Sequence, residues 1–150
     1  MPENPQPSSL KVSSSRFGEI NVTAEQVITM PHGMVGFPNY RLYVLVQHGP
    51  DSPFYWLQSL DRPDLAFVVA NPLIFDLKYQ VSLSNSDTRL LKVEDPKDLQ
   101  IWAVITIPHG RPDQMTANLK APVVINLANR LGAQVILEKT EYSVRHFLPK

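Results

Sequence analysis

Hydrophobic positions in this chain fall into short runs of β-branched and aromatic residues. Most of its 14 prolines stand between those runs, where they cannot interrupt a hydrogen-bonded ladder. The most informative pair lies within residues 53–72. Phe54-Tyr55-Trp56-Leu57 leads into a short polar turn around Asp61-Arg62-Pro63-Asp64. Leu65-Ala66-Phe67-Val68-Val69-Ala70 leads out of it, and Pro53 and Pro72 close the outer edges. This pattern predicts two extended segments folded back on each other.

The same grammar predicts strands at 10–12, at 16–22 with Gly18 marking a bulge or turn, at 42–46, and at 79–83 with Tyr79, Val81 and Leu83 on one face. Residues 100–107 are the longest β run and are apolar on both faces, which places them centrally. Runs at 115–119 and 123–126 follow on either side of Pro122, and 134–137 is the last clear strand, reached through a tight connection at 128–132. Two short helices find room. Thr23-Ala24-Glu25-Gln26 has capping-box spacing, and Ser84 with Asp87 offers a cap and an N3 acid for a helix through 88–91. Two glycines and two prolines in residues 31–40 exclude a regular element there. Eight to ten short strands with Pro and Gly turns predict a mostly β, single-domain fold, a small barrel or sandwich with one or two short helices.

Composition narrows the class. A length of 150 residues suits one domain, and 43 % hydrophobic with 19 % charged residues suits a sizeable core. No apolar run approaches the ~20 residues of a membrane span, so a soluble chain is expected. Residues 1–9 are polar with three prolines, carry no basic or apolar leader pattern, and are expected to form a disordered tail before a β domain spanning 10–150. The absence of cysteine excludes disulfides, thiolate catalysis and cysteine-ligated metals. Fourteen cations balance 14 acids to a net charge of zero, and Arg41, Arg62, Lys78, Arg89, Lys92, Lys97, Arg111 and Lys120 are spread among acids. A nucleic-acid-binding surface would show a basic stripe.

Catalytic patterns are thin. His32, His48, His109 and His146 show no helical ligand spacing, so neither a metal nor a cofactor is expected. No nucleophile elbow or phosphate-cradling glycine loop occurs, and Ser143 near His146 is a local coincidence. Asp61 and Asp64 read as turn chemistry beside Pro63, and His109-Gly110-Arg111-Pro112-Asp113 reads as a solvated connection. No enzymatic role is expected. The aromatics weigh differently. Phe54, Tyr55 and Trp56 are consecutive, so neighbours face opposite sides of a strand and at least one large aromatic lies near the surface unless both faces are covered. Exposed Tyr and Trp are frequent interface anchors.

Several stretches, in order and spacing, resemble the FliW family of flagellar assembly factors. They are Arg16-Phe17-Gly18-Glu19-Ile20, Ile28-Thr29-Met30-Pro31-His32-Gly33-Met34-Val35-Gly36-Phe37, the 53–72 segment, Ala121-Pro122-Val123-Val124-Ile125-Asn126 and Tyr142-Ser143-Val144-Arg145-His146. The resemblance spans roughly residues 16–147. It implies a small, barrel-like, mostly β protein of the cytoplasm that catalyses nothing. The implied partners are flagellin and the carbon storage regulator CsrA, which represses translation of flagellin messenger RNA. It also implies a switch: flagellin occupies the protein until it is exported, and the freed protein then binds CsrA and relieves repression. Such a switch requires negative coupling between the two partners.

This chain departs from the family's acidic tendency, and its zero net charge favours steric or conformational antagonism over electrostatic repulsion of RNA. The candidate partner-binding residues come from physical reasoning. Met34, Val35 and Phe37 lie in the Gly/Pro loop, and Tyr55 and Trp56 lie in the aromatic run; the loop apolars either tuck into the core or meet another protein. The alternatives are a barrel that stacks single-stranded RNA on Phe54, Tyr55 or Trp56, and a flagellin chaperone with no role toward CsrA.

Overall fold

The structure, a computed structural model, describes residues 9–138 and 141–148. Among these residues ten strands run in chain order: β1 (Ser9–Ser14), β2 (Gly18–Thr23), β3 (Ile28–Thr29), β4 (Leu42–Gln47), β5 (Phe54–Ser59), β6 (Ala66–Ala70), β7 (Leu99–Thr106), β8 (Thr116–Asn126), β9 (Leu131–Gln134) and β10 (His146–Phe147). One short helix among the described residues, α1 (Asn85–Leu90), and single 3₁₀ turns occupy the connections. The fold is mostly β, as the pattern of short runs predicts. Among the described residues no helix is long and apolar enough to cross a membrane. Ser9 already belongs to β1; the rest of the expected tail lies outside the described residues.

Strands β3 to β9 close on themselves. Each pairs antiparallel with the next, from β3–β4 through β8–β9, and β9 returns to β3 in parallel. Closure removes exposed sheet edges from these seven strands. Alternation then sorts their side chains. Tyr43 and Leu45, Tyr55 and Leu57, Phe67 and Val69, Trp102 and Val104, and Val123 and Ile125 share one apolar cluster with Ile28 and Met30, which fills the barrel.

The outward-facing residues form two further clusters, each under its own cover. On one side the β1–β2 hairpin lays Val12, Ile20 and Val22 against Val44, Val46 and Leu60. On the other, the connection from β6 to β7 lays Phe75, Tyr79 and Leu91 over Ala70, Ala103, Ile105 and Ala117. Strand β7 is therefore covered on both faces, which is why its sequence is apolar on both.

The caps predicted from sequence form. Gln26 Oε1 accepts from the Thr23 amide at 2.9 Å, and Ser84 Oγ accepts from the Asp87 amide at 3.0 Å to start α1. Helix α1 begins at Asn85, earlier than the expected 88–91.

Three expectations need correction. The alternating run at 79–83 is not a strand. Its alternation reflects packing against the barrel wall: Tyr79 is buried, its hydroxyl donates to the Leu119 carbonyl at 2.7 Å, and Val81 and Leu83 are partly buried beside it. The segments around Pro122 form one strand rather than two. Trp102 pairs with Val123 and Val104 with Asn118, so residues 119–122 bulge opposite Ala103. Asn118 Oδ1 accepts from the Lys120 and Ala121 amides inside that bulge, where the missing N–H of proline costs no ladder bond. Finally, β9 starts at Leu131, three residues before the expected run. Arg130 at φ 62 turns the chain early, and Val135 and Leu137 donate to the Pro122 and Lys120 carbonyls along the bulge.

Candidate functional site

The five candidate partner-binding residues separate into a loop across one end of the barrel, the barrel interior and a patch on its outer wall. Loop 31–40 joins β3 to β4. Gly33 at φ 64 and Gly36 at φ 88 bend it, and the Phe37 amide donates to the Met34 carbonyl at 2.7 Å. The bend turns Met34 inward to 2 % exposure and leaves Val35 at 61 %. Met34 is thus a core residue without a surface to offer a partner, and Val35 carries the loop's apolar exposure. The Val35 amide donates to Gln134 Oε1 at 2.9 Å, which ties the loop to β9. Phe37 is half-buried, edge-on to Phe67 at 5.5 Å.

Tyr55 points into the barrel and stacks edge-on against Trp102 at 4.9 Å. It pairs with Gln47, at the opposite end of β4 from the loop. Trp56 faces outward and packs against the β1–β2 turn. Phe17 meets its ring at 6.1 Å in a T-shaped contact, the Arg16 guanidinium lies 4.4 Å from its centroid, and His48 lies at 6.2 Å. Phe54 is partly buried beneath the β6–β7 cover. Both faces of this aromatic triplet are therefore occupied.

The turn that positions Arg16 and Phe17 is held by one hydroxyl. Ser14 Oγ accepts from their amides at 3.1 and 3.2 Å and donates to Gln58 Oε1 at 2.8 Å. Nothing in the sequence marks Arg16, Phe17 and His48 as residues that gather around Trp56. An Arg-Phe-Gly turn carries no marker of which strand it will cover.

The groups weighed for chemistry stay apart. Arg62 Nε donates to Asp64 Oδ1 at 2.8 Å and holds that carboxyl below its ordinary range, while Asp61 takes its place in the turn through its amide and Ser59 Oγ. His109, Arg111 and Asp113 lie exposed in the connection from β7 to β8. Ser143 Oγ accepts from the Arg145 amide. Among the described residues no group of three or more His, Asp or Glu is placed to hold a metal ion.

Comparison with known proteins decides the family. The family model described as FliW protein matches residues 11–148. The chain belongs to the FliW family. It is 36 % identical over 136 residues to the flagellar assembly factor FliW of Magnetococcus marinus, covering 91 % of this chain and 83 % of that one. It is 39 % identical over 139 residues to the FliW of Desulfitobacterium hafniense, covering 93 % of this chain and 91 % of that one. A crystal structure of the flagellar assembly factor FliW superposes with a TM-score of 0.86 at 33 % identity, over 93 % of this chain and 98 % of the other. The FliW fold thus accounts for the whole barrel and both of its covers.

Proposed function

We propose that this chain is a cytoplasmic protein-binding regulator of flagellar assembly. It takes flagellin and CsrA as alternative partners and antagonises CsrA when flagellin has left. It works by binding and not by catalysis. The observation that carries this reading is membership of the FliW family across residues 11–148, from which the partner pair is implied. Two local features are consistent with protein contact: the Val35 side chain stands exposed on a loop that its own amide ties to Gln134 of β9, and Trp56 lies half-buried within an aromatic and cationic cluster. The zero net charge favours steric or conformational displacement of RNA from CsrA over repulsion.

The test is calorimetric titration of this protein with CsrA, repeated with flagellin already bound. Tight CsrA binding that flagellin abolishes is the expected result, because the switch requires negative coupling. Binding to flagellin alone would reduce the reading to a flagellin chaperone. Binding to neither would overturn it.

A further inference from the structure

The surface at Trp56 differs from the other guanidinium–aromatic pair among the described residues in one respect that bears on binding. Arg62 lies 5.7 Å from the Tyr40 ring, and its Nε is already taken by Asp64 at 2.8 Å. That cation is neutralised from within. Arg16 sits closer to its ring, at 4.4 Å from Trp56, yet among the described residues no carboxylate pairs with it. Its near neighbour in sequence, Glu19, is turned to Lys11 at 3.9 Å. The side chain of Arg16 is exposed, and no described residue accepts a hydrogen bond from it. A stack on Trp56 fixes a planar fork of five donors in place with its charge unanswered.

Apolar surface adjoins that fork. Phe17 is 37 % exposed, Trp56 is half-buried, and Trp56 pairs directly with Val46 on one side and Val68 on the other, so all three side chains lie on one outward row of the sheet.

We propose that Arg16, Phe17 and Trp56 form a recognition surface for an acidic segment of a partner protein. The partner's carboxylate pairs with the Arg16 fork, and an apolar side chain next to it packs on Phe17 and the Trp56 edge. Charge complementarity selects this occupant: the site offers one preorganised cation beside apolar surface, the pattern that suits a carboxylate flanked by an apolar residue. Single-stranded nucleic acid fits less well. Arg16 already covers a face of Trp56, so a base could stack there only by displacing it, and one cation makes no backbone-tracking stripe. The proposal deepens the protein-binding reading above and rests on it, but it does not depend on which partner is bound.

The test follows the indole N–H resonances of the full chain by NMR, with Trp56 told from Trp102 by Trp56→Phe. The probes are a short synthetic peptide centred on Leu-Asp-Phe-Glu, its Leu-Asn-Phe-Gln counterpart and a single-stranded oligouridylate. The acidic peptide is expected to shift the Trp56 resonance and to bind at least about fivefold tighter than its amide counterpart, the margin of a charge-assisted bidentate contact. Arg16→Gln should erase that difference with an unchanged melting temperature. Arg16→Lys should retain part of it, which keeps the test decisive if Arg16→Gln folds poorly. Equal binding of the two peptides, no shift at millimolar peptide, discrimination that survives Arg16→Gln, or stronger Arg16-dependent binding of the oligouridylate would each overturn the proposal. Calorimetry on the same variant separates the two readings. If CsrA and flagellin bind Arg16→Gln as they bind the unmodified chain, this surface is excluded while partner switching stands. If the unmodified chain binds neither, partner switching falls, and the peptide titration still decides the surface.

Discussion

The Ser14 hydroxyl donates to the side-chain oxygen of Gln58 at 2.8 Å across 44 residues of sequence, and both residues are buried, Gln58 completely. Gln58 Nε2 in turn lies within 3.0 to 3.2 Å of the Ser59, Pro63 and Leu65 carbonyls. One side chain thus joins the hairpin to β5 and to the turn that leads into β6. Gln58→Leu keeps the volume but removes the side-chain donor from these carbonyls, of which Pro63 and Leu65 keep only the Ser15 and Ser59 amides, and takes away the acceptor of the Ser14 hydroxyl. It should destabilise by about 2–4 kcal/mol, and Ser14→Ala by about 1–2 kcal/mol. Urea unfolding of both and of the double variant checks this. The double variant should lose less than the sum, since both changes break one network.

Tyr43 is the opposite case. Its hydroxyl is buried inside the barrel and has no hydrogen-bond partner among the described residues. Tyr43→Phe should therefore leave stability at neutral pH unchanged or raise it by up to ~1 kcal/mol. The alkaline limb gives a second readout. Burial, with a smaller contribution from the Asp61 charge, pushes this hydroxyl from its ordinary 10.0 up to about 12. The unfolded chain releases the proton above its ordinary value while the folded chain keeps it. The contribution is complete below pH 10.0 and is lost as pH rises to about 12. Tyr43→Phe should flatten that part of the stability curve. Tyr79 is raised in the same direction by burial, so some alkaline loss remains.

The bent loop gives a graded pair of glycine substitutions. A Cβ on Gly33 would stand 2.3 Å from the Phe37 carbonyl oxygen and 2.9 Å from the Pro38 Cα, both backbone atoms. Gly36 has φ +88 with open space around it. Gly36→Ala should cost only the conformational strain of a positive φ, roughly 1–2 kcal/mol. Gly33→Ala adds a clash that only movement of the loop relieves, so it should cost more, expose Met34 and Phe37, and raise binding of an apolar dye. Thermal melts and dye fluorescence of the two variants would show the order; equal losses would mean that the loop adapts freely.

Much of this architecture is legible in the pattern of short apolar runs, because a strand buried on one or both faces has to show it. The hairpin of β5 and β6, the central β7 and the Ser84–Asp87 cap all follow from local rules. The errors arise where packing imitates pairing. Tyr79, Val81 and Leu83 alternate like a strand because they lie on a flat barrel wall, and nothing local says that no ladder receives them. Pro122 reads as a break because sequence does not disclose the bulge that Asn118 stabilises. The candidate surfaces divide in the same way. The Gly/Pro loop is visible as a loop, but which of Met34 and Val35 turns inward depends on Gly33 and Gly36 dihedrals. Arg16 reaches Trp56 only through tertiary placement of a turn 40 residues away in sequence.

That placement makes the loop residues separable by experiment. Met34→Ala empties a buried site and should cost about 2–4 kcal/mol. Phe37→Ala and Tyr55→Ala break the aromatic contacts with Phe67 and Trp102 and should lower the melting temperature as well, so a loss of binding in these variants would not by itself mark a contact. Val35→Asp is the discriminating change. At 61 % exposure the new carboxylate stays hydrated, and stability should hold within about 0.5 kcal/mol. If the loop meets flagellin or CsrA, the same charge must be desolvated at the interface, and affinity for that partner should drop by about tenfold or more. Unchanged affinity for both partners, with the melting temperature intact, would remove the loop from the binding surface and leave the Trp56 wall as the place to look.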